Sequence, residues 1–314
     1  MAADTPLRLV IDTDPGTDDA VALVMALRRP GVRVEALTVA AGNVDVDQCV
    51  RNAHYVLELC GRDLPVYRGA GKPLSRPART AAEVHGGDGL GDLGLRPKHS
   101  QAAPGVAAEA LVDLIRRSPG ELTLVTLAPL TNIALALDLA PEIAGMVRRV
   151  VLMGGAANTL GNVTPAAEFN IWCDPEAARI VFQSGLPLTM IGIELCRGAY
   201  AHSSADQARV AALGTPLAGF VASMAHAAAS RSARRLSVGD AGLPDAVAMA
   251  VALDPSILTG SGGCYVDVET RGELTSGETV VDRLGVLRQT PNTEVGERID
   301  AERYKAMVLD ACRA

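Results

Sequence analysis

Lysine is almost missing from this 314-residue chain, with Lys72, Lys98 and Lys305 its only examples, and arginine forms no dense basic stripe. With a net charge of −7 as well, nucleic acid and anionic membranes are excluded as general partners, because phosphate binding of that kind releases counterions to clustered cations. C-x-x-C spacing is absent too. Cys49, Cys60, Cys173, Cys196, Cys264 and Cys312 are scattered through apolar stretches rather than forming the dense framework of small secreted domains, so they are expected to be buried free thiols. No apolar run approaches the ~18 residues that cross a bilayer. The first strand-like run starts at Leu7 without a basic n-region or signal-type core before it. These absences predict a cytoplasmic, reducing location. Neither an internal repeat nor a linker is visible, and 48% apolar residues suffice for a large core, so one domain over 1–314 is expected.

What the chain does have is a run of four carboxylates, Asp12-Thr13-Asp14-Pro15-Gly16-Thr17-Asp18-Asp19, directly after the apolar Leu7 to Ile11. So much charge in a small volume is unfavourable unless a cation, a shared proton or a hydroxyl-rich ligand offsets it. Pro15-Gly16 signals a turn. Residues 18–29 then carry acids first, apolar residues in the middle and arginines last, the polarity expected of a helix. The carboxylates thus fall between the carboxyl end of a strand and the start of a helix, where open α/β sheets bind ligands.

Further strands are predicted at 32–39, 122–127, 147–153 and 186–193, and helices at 47–59, 105–117, 131–139 and 174–183. This alternation predicts an α/β fold, an open and mostly parallel sheet flanked by helices. Residues 71–101 are rich in Gly, Pro and Arg, and their His85-Gly86-Gly87-Asp88-Gly89 centre favours a functional loop. An alanine-rich helix follows Thr215, then a bend at Arg231, Arg234 and Arg235. Another helix begins at Pro244-Asp245. Short strands and turns are expected over 265–288, and a closing helix over 301–312. His54 reads as a helix-face residue, and His99 and His202 as members of ordinary polar stretches.

Asn43, Asn162, Glu168, Asn170 and Asp245 fall at ends of these elements, on the rim where parallel strands converge. With the acidic run they supply hard oxygen ligands and hydroxyl-binding amides but no thiolate or imidazole cluster, which favours Ca²⁺ or Mg²⁺ over Zn²⁺.

The chain resembles the inosine-uridine nucleoside hydrolase family through DTDPGTDDA at 12–20, AAGN at 40–43, HGGDGLG at 85–91, LAPLTNIA at 127–134, VVLMGG at 150–155 and GNVTPAAEFNIWCDPEAA at 161–178. The resemblance implies an open α/β fold with a tightly bound Ca²⁺, hydrolysis of the N-glycosidic bond of a ribonucleoside, and a homodimer or homotetramer. Carried over by position, Asp14, Asp19, Asp245 and the carbonyl of Leu127 would bind calcium, and Asp14 would act as general base on a calcium-oriented water. Asp18, Asn162, Glu168 and Asn170 would hold ribose hydroxyls, with the Met153 backbone seating the sugar and Phe169 near sugar or base. Asp12 would orient the ligands, and Asn43 would support a carboxylate or water.

Two positions depart from many relatives: Pro244 and Arg197 stand where a histidine is often found. His85 is then the histidine whose motif position places it near the base, with His226 second. Two other readings compete. A non-catalytic Ca²⁺/ribose-binding protein would keep the pocket without an acid for the leaving base. An Asp-nucleophile, Mg²⁺-dependent phosphatase would use Asp12, but it wants a cation against the phosphoryl group, and no lysine falls at a predicted strand end.

Overall fold

Apolar residues of alternating register build the first strand, and its two faces enter two different cores. A computed structural model describes residues 6–236 and 242–313, with side chains described for all of these but 231–236. In chain order the strands are β1 (Leu7–Thr13), β2 (Val32–Val39), β3 (Val66–Arg68), β4 (Leu122–Thr126), β5 (Arg149–Met153), β6 (Leu188–Ile191), β7 (Leu258–Val268), β8 (Thr279–Asp282) and β9 (Thr293–Ile299). The α-helices are α1 (Thr17–Arg28), α2 (Val46–Leu59), α3 (Ala82–His85), α4 (Ala107–Arg117), α5 (Thr131–Leu139), α6 (Phe169–Cys173), α7 (Pro175–Phe182), α8 (Ser204–Ala211), α9 (Pro216–Leu236), α10 (Pro244–Leu253) and α11 (Ala301–Ala311).

The strands form one sheet in the order β3-β2-β1-β4-β5-β6-β9-β7-β8. All neighbours run parallel except β7, which is antiparallel to both β9 and β8. Leu9 and Ile11 face a core shared with α1, α2, α9, α10 and α11, whereas Val10 faces one shared with α4, α5 and α7. That period of two, with both faces covered by helices, is why the strands read as continuous apolar runs. The strand order reverses direction between β1 and β4, and a crevice opens at such a switch point outside the carboxyl ends of the strands.

Local differences from the sequence reading have local causes. The strand expected over 186–193 is shorter, because the chain turns into a 3₁₀ segment at Ile193–Cys196. The bend expected at Arg231, Arg234 and Arg235 is instead the last part of α9, whose backbone stays helical to Leu236; their side chains lie outside the described ones. His202, expected in an ordinary polar stretch, is 2% exposed, edge-on to the ring of Tyr304 at 5.3 Å. All six cysteines are buried free thiols. Among the described residues no helix is long and apolar enough to cross a membrane.

Candidate active site

β1 delivers Asp12 and Asp14 to the carboxyl edge of the sheet, and the turn at Pro15-Gly16 starts α1 with Asp18 and Asp19 in its first turn. Gly16 is needed for close approach: a Cβ there would lie 2.6 Å from both Asn43 Nδ2 and His85 Nδ1. All four carboxylates are buried. Asp19 is fixed by Thr13 Oγ1, which donates to its Oδ1 at 2.6 Å, and by the Gly16 N–H, which donates to Oδ2 at 3.0 Å. Asn43, after β2, donates its backbone N–H to Asp14 Oδ2 at 2.7 Å and its side-chain amide to Asp19 Oδ2 at 2.9 Å. Asp12 turns the other way, accepting at Oδ1 from Thr38 at 2.6 Å and Asn132 at 2.8 Å. Its Oδ2 and Asp14 Oδ1 are buried without a hydrogen-bond partner.

Asp245, at the start of α10, completes the cluster, and ligand oxygens of Asp18, Asp19 and Asp245 lie within 4.8 Å of one another. Burial and mutual repulsion push Asp14 and Asp245 well above the usual carboxylate range, and burial, with a smaller push from Asp19, takes Asp12 up to about 7 against the hydrogen bonds from Thr38 and Asn132. The charge of this cluster therefore calls for a proton or a cation, and an all-oxygen, fully buried donor set suits a hard divalent ion. The ligand set that the family resemblance implies is Asp14, Asp19, Asp245 and the Leu127 carbonyl. Asp18 lies in the same knot, while Asp14 lies beside it with an orphaned oxygen. The Leu127 carbonyl accepts from Asn170 Nδ2 at 2.7 Å, which leaves one of its two lone pairs.

Above the carboxylates is a cavity of about 680 Å³ whose wall includes Asp18, Asn43, His85, Leu127, Met153 and Asp245. Asn162, Glu168, Phe169 and Asn170 line it as well, so every residue proposed for the sugar reaches one space. Glu168 is the N-cap of α6, and its carboxylate accepts from the backbone N–H groups of Gly155, Asn170 and Ile171. Burial outweighs those bonds and raises it to about 7. Asn162 Oδ1 accepts from the Phe169 N–H at 2.9 Å, which fixes the direction of that amide.

The long segment 71–101 is tied down at both ends. The Leu74 N–H donates to Asp174, Arg76 pairs with Glu176 at 2.8 Å, and the Lys98 and His99 N–H groups donate to Glu58. Between these ties α3 sets His85 in the cavity wall, where Thr17 N–H donates to Nδ1 at 3.1 Å and Asp18 Oδ1 is 3.7 Å from the same nitrogen. His226 lies elsewhere, in a groove beside Gly91 and Leu93. Pro244 and Arg197 do line the cavity. Thr17, Arg79 and Trp172 also line it and were missed; only Trp172 carried a signal, being three residues from Phe169 and so on one helical face.

The family model for inosine-uridine preferring nucleoside hydrolases matches residues 9–306. The chain belongs to that family. A pyrimidine-specific ribonucleoside hydrolase of Salmonella schwarzengrund is 41% identical over 306 residues, covering 97% of each chain. Among solved structures, a plant nucleoside hydrolase superposes with a TM-score of 0.93 at 32% identity, covering 98% of this chain and 99% of the other. A purine-preferring ribonucleoside hydrolase from Gardnerella vaginalis gives 0.89 at 31% identity, over 97% and 98%. The nucleoside hydrolase fold and class are thereby shown for the chain, and a relative named pyrimidine-specific and a structure named purine-preferring each match 97% of it.

Proposed function

We propose that this nucleoside hydrolase, which cleaves ribonucleosides to ribose and free base, does so as a Ca²⁺-dependent enzyme with Asp14 as general base. The observation that carries the assignment is the buried, unpartnered Asp14 Oδ1, on a residue whose backbone N–H donates to Asp19 at 3.3 Å, next to the cluster of Asp18, Asp19 and Asp245 oxygens from which Asp18 and Asp245 reach the cavity. Asp14, Asp19, Asp245 and the Leu127 carbonyl would hold the ion. A divalent cation bound there would supply the acidification and orientation of a water. Asp14 takes the proton from the water that attacks the anomeric carbon. Asn43 keeps that carboxylate aimed by holding Oδ2 and leaving Oδ1 for the reaction.

Asp18, Asn162, Glu168 and Asn170 bind the ribose hydroxyls, Met153 closes the floor, and Phe169 borders sugar and base. The buried acidic surroundings favour the positive charge that develops on the sugar as the glycosidic bond breaks. With Pro244 unable to donate a proton, His85 is the residue we assign to the leaving base. The buried free thiols fit a reducing, cytoplasmic setting. A homodimer or homotetramer is the assembly we expect.

The test is ribose release by the calcium-loaded protein from a panel of purine, pyrimidine and activated ribosides. Stoichiometric calcium with no turnover of any of them would favour a ribose-binding protein instead.

A further inference from the structure

Arg197 follows the 3₁₀ segment at the end of β6, and its guanidinium reaches across to the loop after β5. Nη1 donates to Thr159 Oγ1 at 3.0 Å and to the Leu160 carbonyl at 2.8 Å, and Nη2 donates to the Gly161 carbonyl at 3.1 Å. Three successive residues are thus gripped by one rigid fork, a geometry that a lysine ammonium on its flexible stem does not reproduce.

The gripped segment leads directly into Asn162. Downstream of the grip the loop closes on itself: Gly161 N–H donates to Pro165 O at 3.0 Å, and Asn162 N–H to Ala167 O at 3.1 Å. Packing there is tight enough that a Cβ on Gly161 would lie 2.1 Å from the Ala167 oxygen. Upstream the loop is less enclosed, and Leu160 is 71% exposed. Arg283 holds Asn158 at 2.9 Å, but residues 159–161 are held to the β6 side of the cavity by Arg197.

We propose that Arg197 is a positioning residue for sugar recognition, clamping Thr159, Leu160 and Gly161 so that Asn162 is presented to the ribose at a fixed height over the cavity floor. This rests on the reading of Asn162 as a ribose ligand. The place of the Arg197 guanidinium in the cavity wall is explained by these three bonds, which use its planar fork of donors. Charge-assisted hydrogen bonds of this kind hold a backbone segment without consuming the cavity's own ligands.

The experiment compares wild type, Arg197→Ala, Arg197→Lys and Thr159→Ala, all calcium-loaded. Loss of the clamp should speed hydrogen exchange at the Gly161 and Asn162 amides by about 10-fold or more, the factor that corresponds to losing hydrogen bonds to a charged group. KM for a ribonucleoside should rise by a similar ~10-fold in Arg197→Ala, with the melting temperature nearly unchanged. Arg197→Lys should restore little, free guanidinium ion should restore part, and Thr159→Ala should show a smaller change in the same direction. Ribose binding read from Trp172, the sole tryptophan and part of the cavity wall, gives a measure independent of turnover.

The proposal is overturned by unchanged exchange and KM in Arg197→Ala, by a fallen melting temperature with normal KM, or by full rescue with lysine. A silent Thr159→Ala beside a severe Arg197→Ala would also overturn it, pointing to direct contact with substrate. If wild type releases no ribose but binds it, the clamp is still judged from exchange and binding, while the hydrolytic reading fails separately.

Discussion

The backbone N–H of Thr17 donates to Nδ1 of His85 at 3.1 Å, so the neutral imidazole carries its proton on Nε2. That donor is in the first turn of α1, the helix that also brings Asp18 and Asp19, and the leaving-group side is thereby tied to the sugar side by one element. His85→Gln should lower kcat/KM on inosine and uridine by the ~10²–10⁴ of a lost general acid, while p-nitrophenyl riboside, whose leaving group needs no proton, is largely spared. Steady-state kinetics on both substrate types decides it. Equal losses on all substrates would reduce His85 to a packing role for the loop.

Asp14→Asn should separate chemistry from folding. Asparagine keeps an oxygen for the Asn43 N–H and removes a charge that burial and Asp19 make unfavourable, so the metal-free protein should melt at the same temperature or higher. Turnover should fall by at least ~10², and the rise in melting temperature on adding Ca²⁺ should shrink. Calorimetry with and without chelator reads both effects. Turnover within a few-fold of wild type would remove Asp14 from the water-activating role.

Much of this site is legible in sequence because its residues come in short, dense runs. Asp12 to Asp19 announce themselves by charge that nothing nearby in the chain offsets, and β2 and α5 are found with matching ends because their patterns are uninterrupted. β3, with three residues, is too short to show a period. β9, reading TEVGERI, lies at the boundary between parallel and antiparallel parts of the sheet and shows three of its seven residues to solvent, so it lacks the apolar run of β6. Other contacts lie far apart in the chain. Asn132 holding Asp12, Arg76 holding Glu176 and Thr17 meeting His85 depend on the folded topology, and no local pattern encodes them. His202 misled for the same reason, since its burial is made by Tyr304, a hundred residues later in α11.

Ribose should be strongly preferred to 2′-deoxyribose. Asp18, Glu168 and Asn170 are buried and line the cavity with Asn162, so a substrate lacking one hydroxyl leaves polar groups unpaired where water does not replace it. Sites built to bond a hydroxyl discriminate by large factors, and kcat/KM for a 2′-deoxynucleoside should be at least ~10² below that of its ribo counterpart. Comparable values for the pair would mean that these groups do not bind the sugar as assigned.

His202 makes stability sensitive to mild acid. Burial against Tyr304, with Nε2 unpartnered, lowers its pKa from the usual 6.5 to about 4, while the nearby Asp206 raises it and Lys305 lowers it to lesser degrees. Asp206 and Lys305 are themselves paired at 2.9 Å. Because the folded-state pKa is depressed, the unfolded chain binds a proton between pH 6.5 and 4 that the native protein refuses, and stability is lost as pH falls through that window. The loss from this one group approaches roughly 3 kcal/mol by pH 4, from 1.36 kcal/mol for each pH unit of separation. His202→Phe keeps an aromatic ring against Tyr304 and has no proton to bind, so its denaturation midpoint should vary less than that of wild type between pH 6.5 and 4. Urea titrations of both proteins across that range measure the difference directly, and parallel curves would show that the imidazole gains a proton or a water partner in the native state.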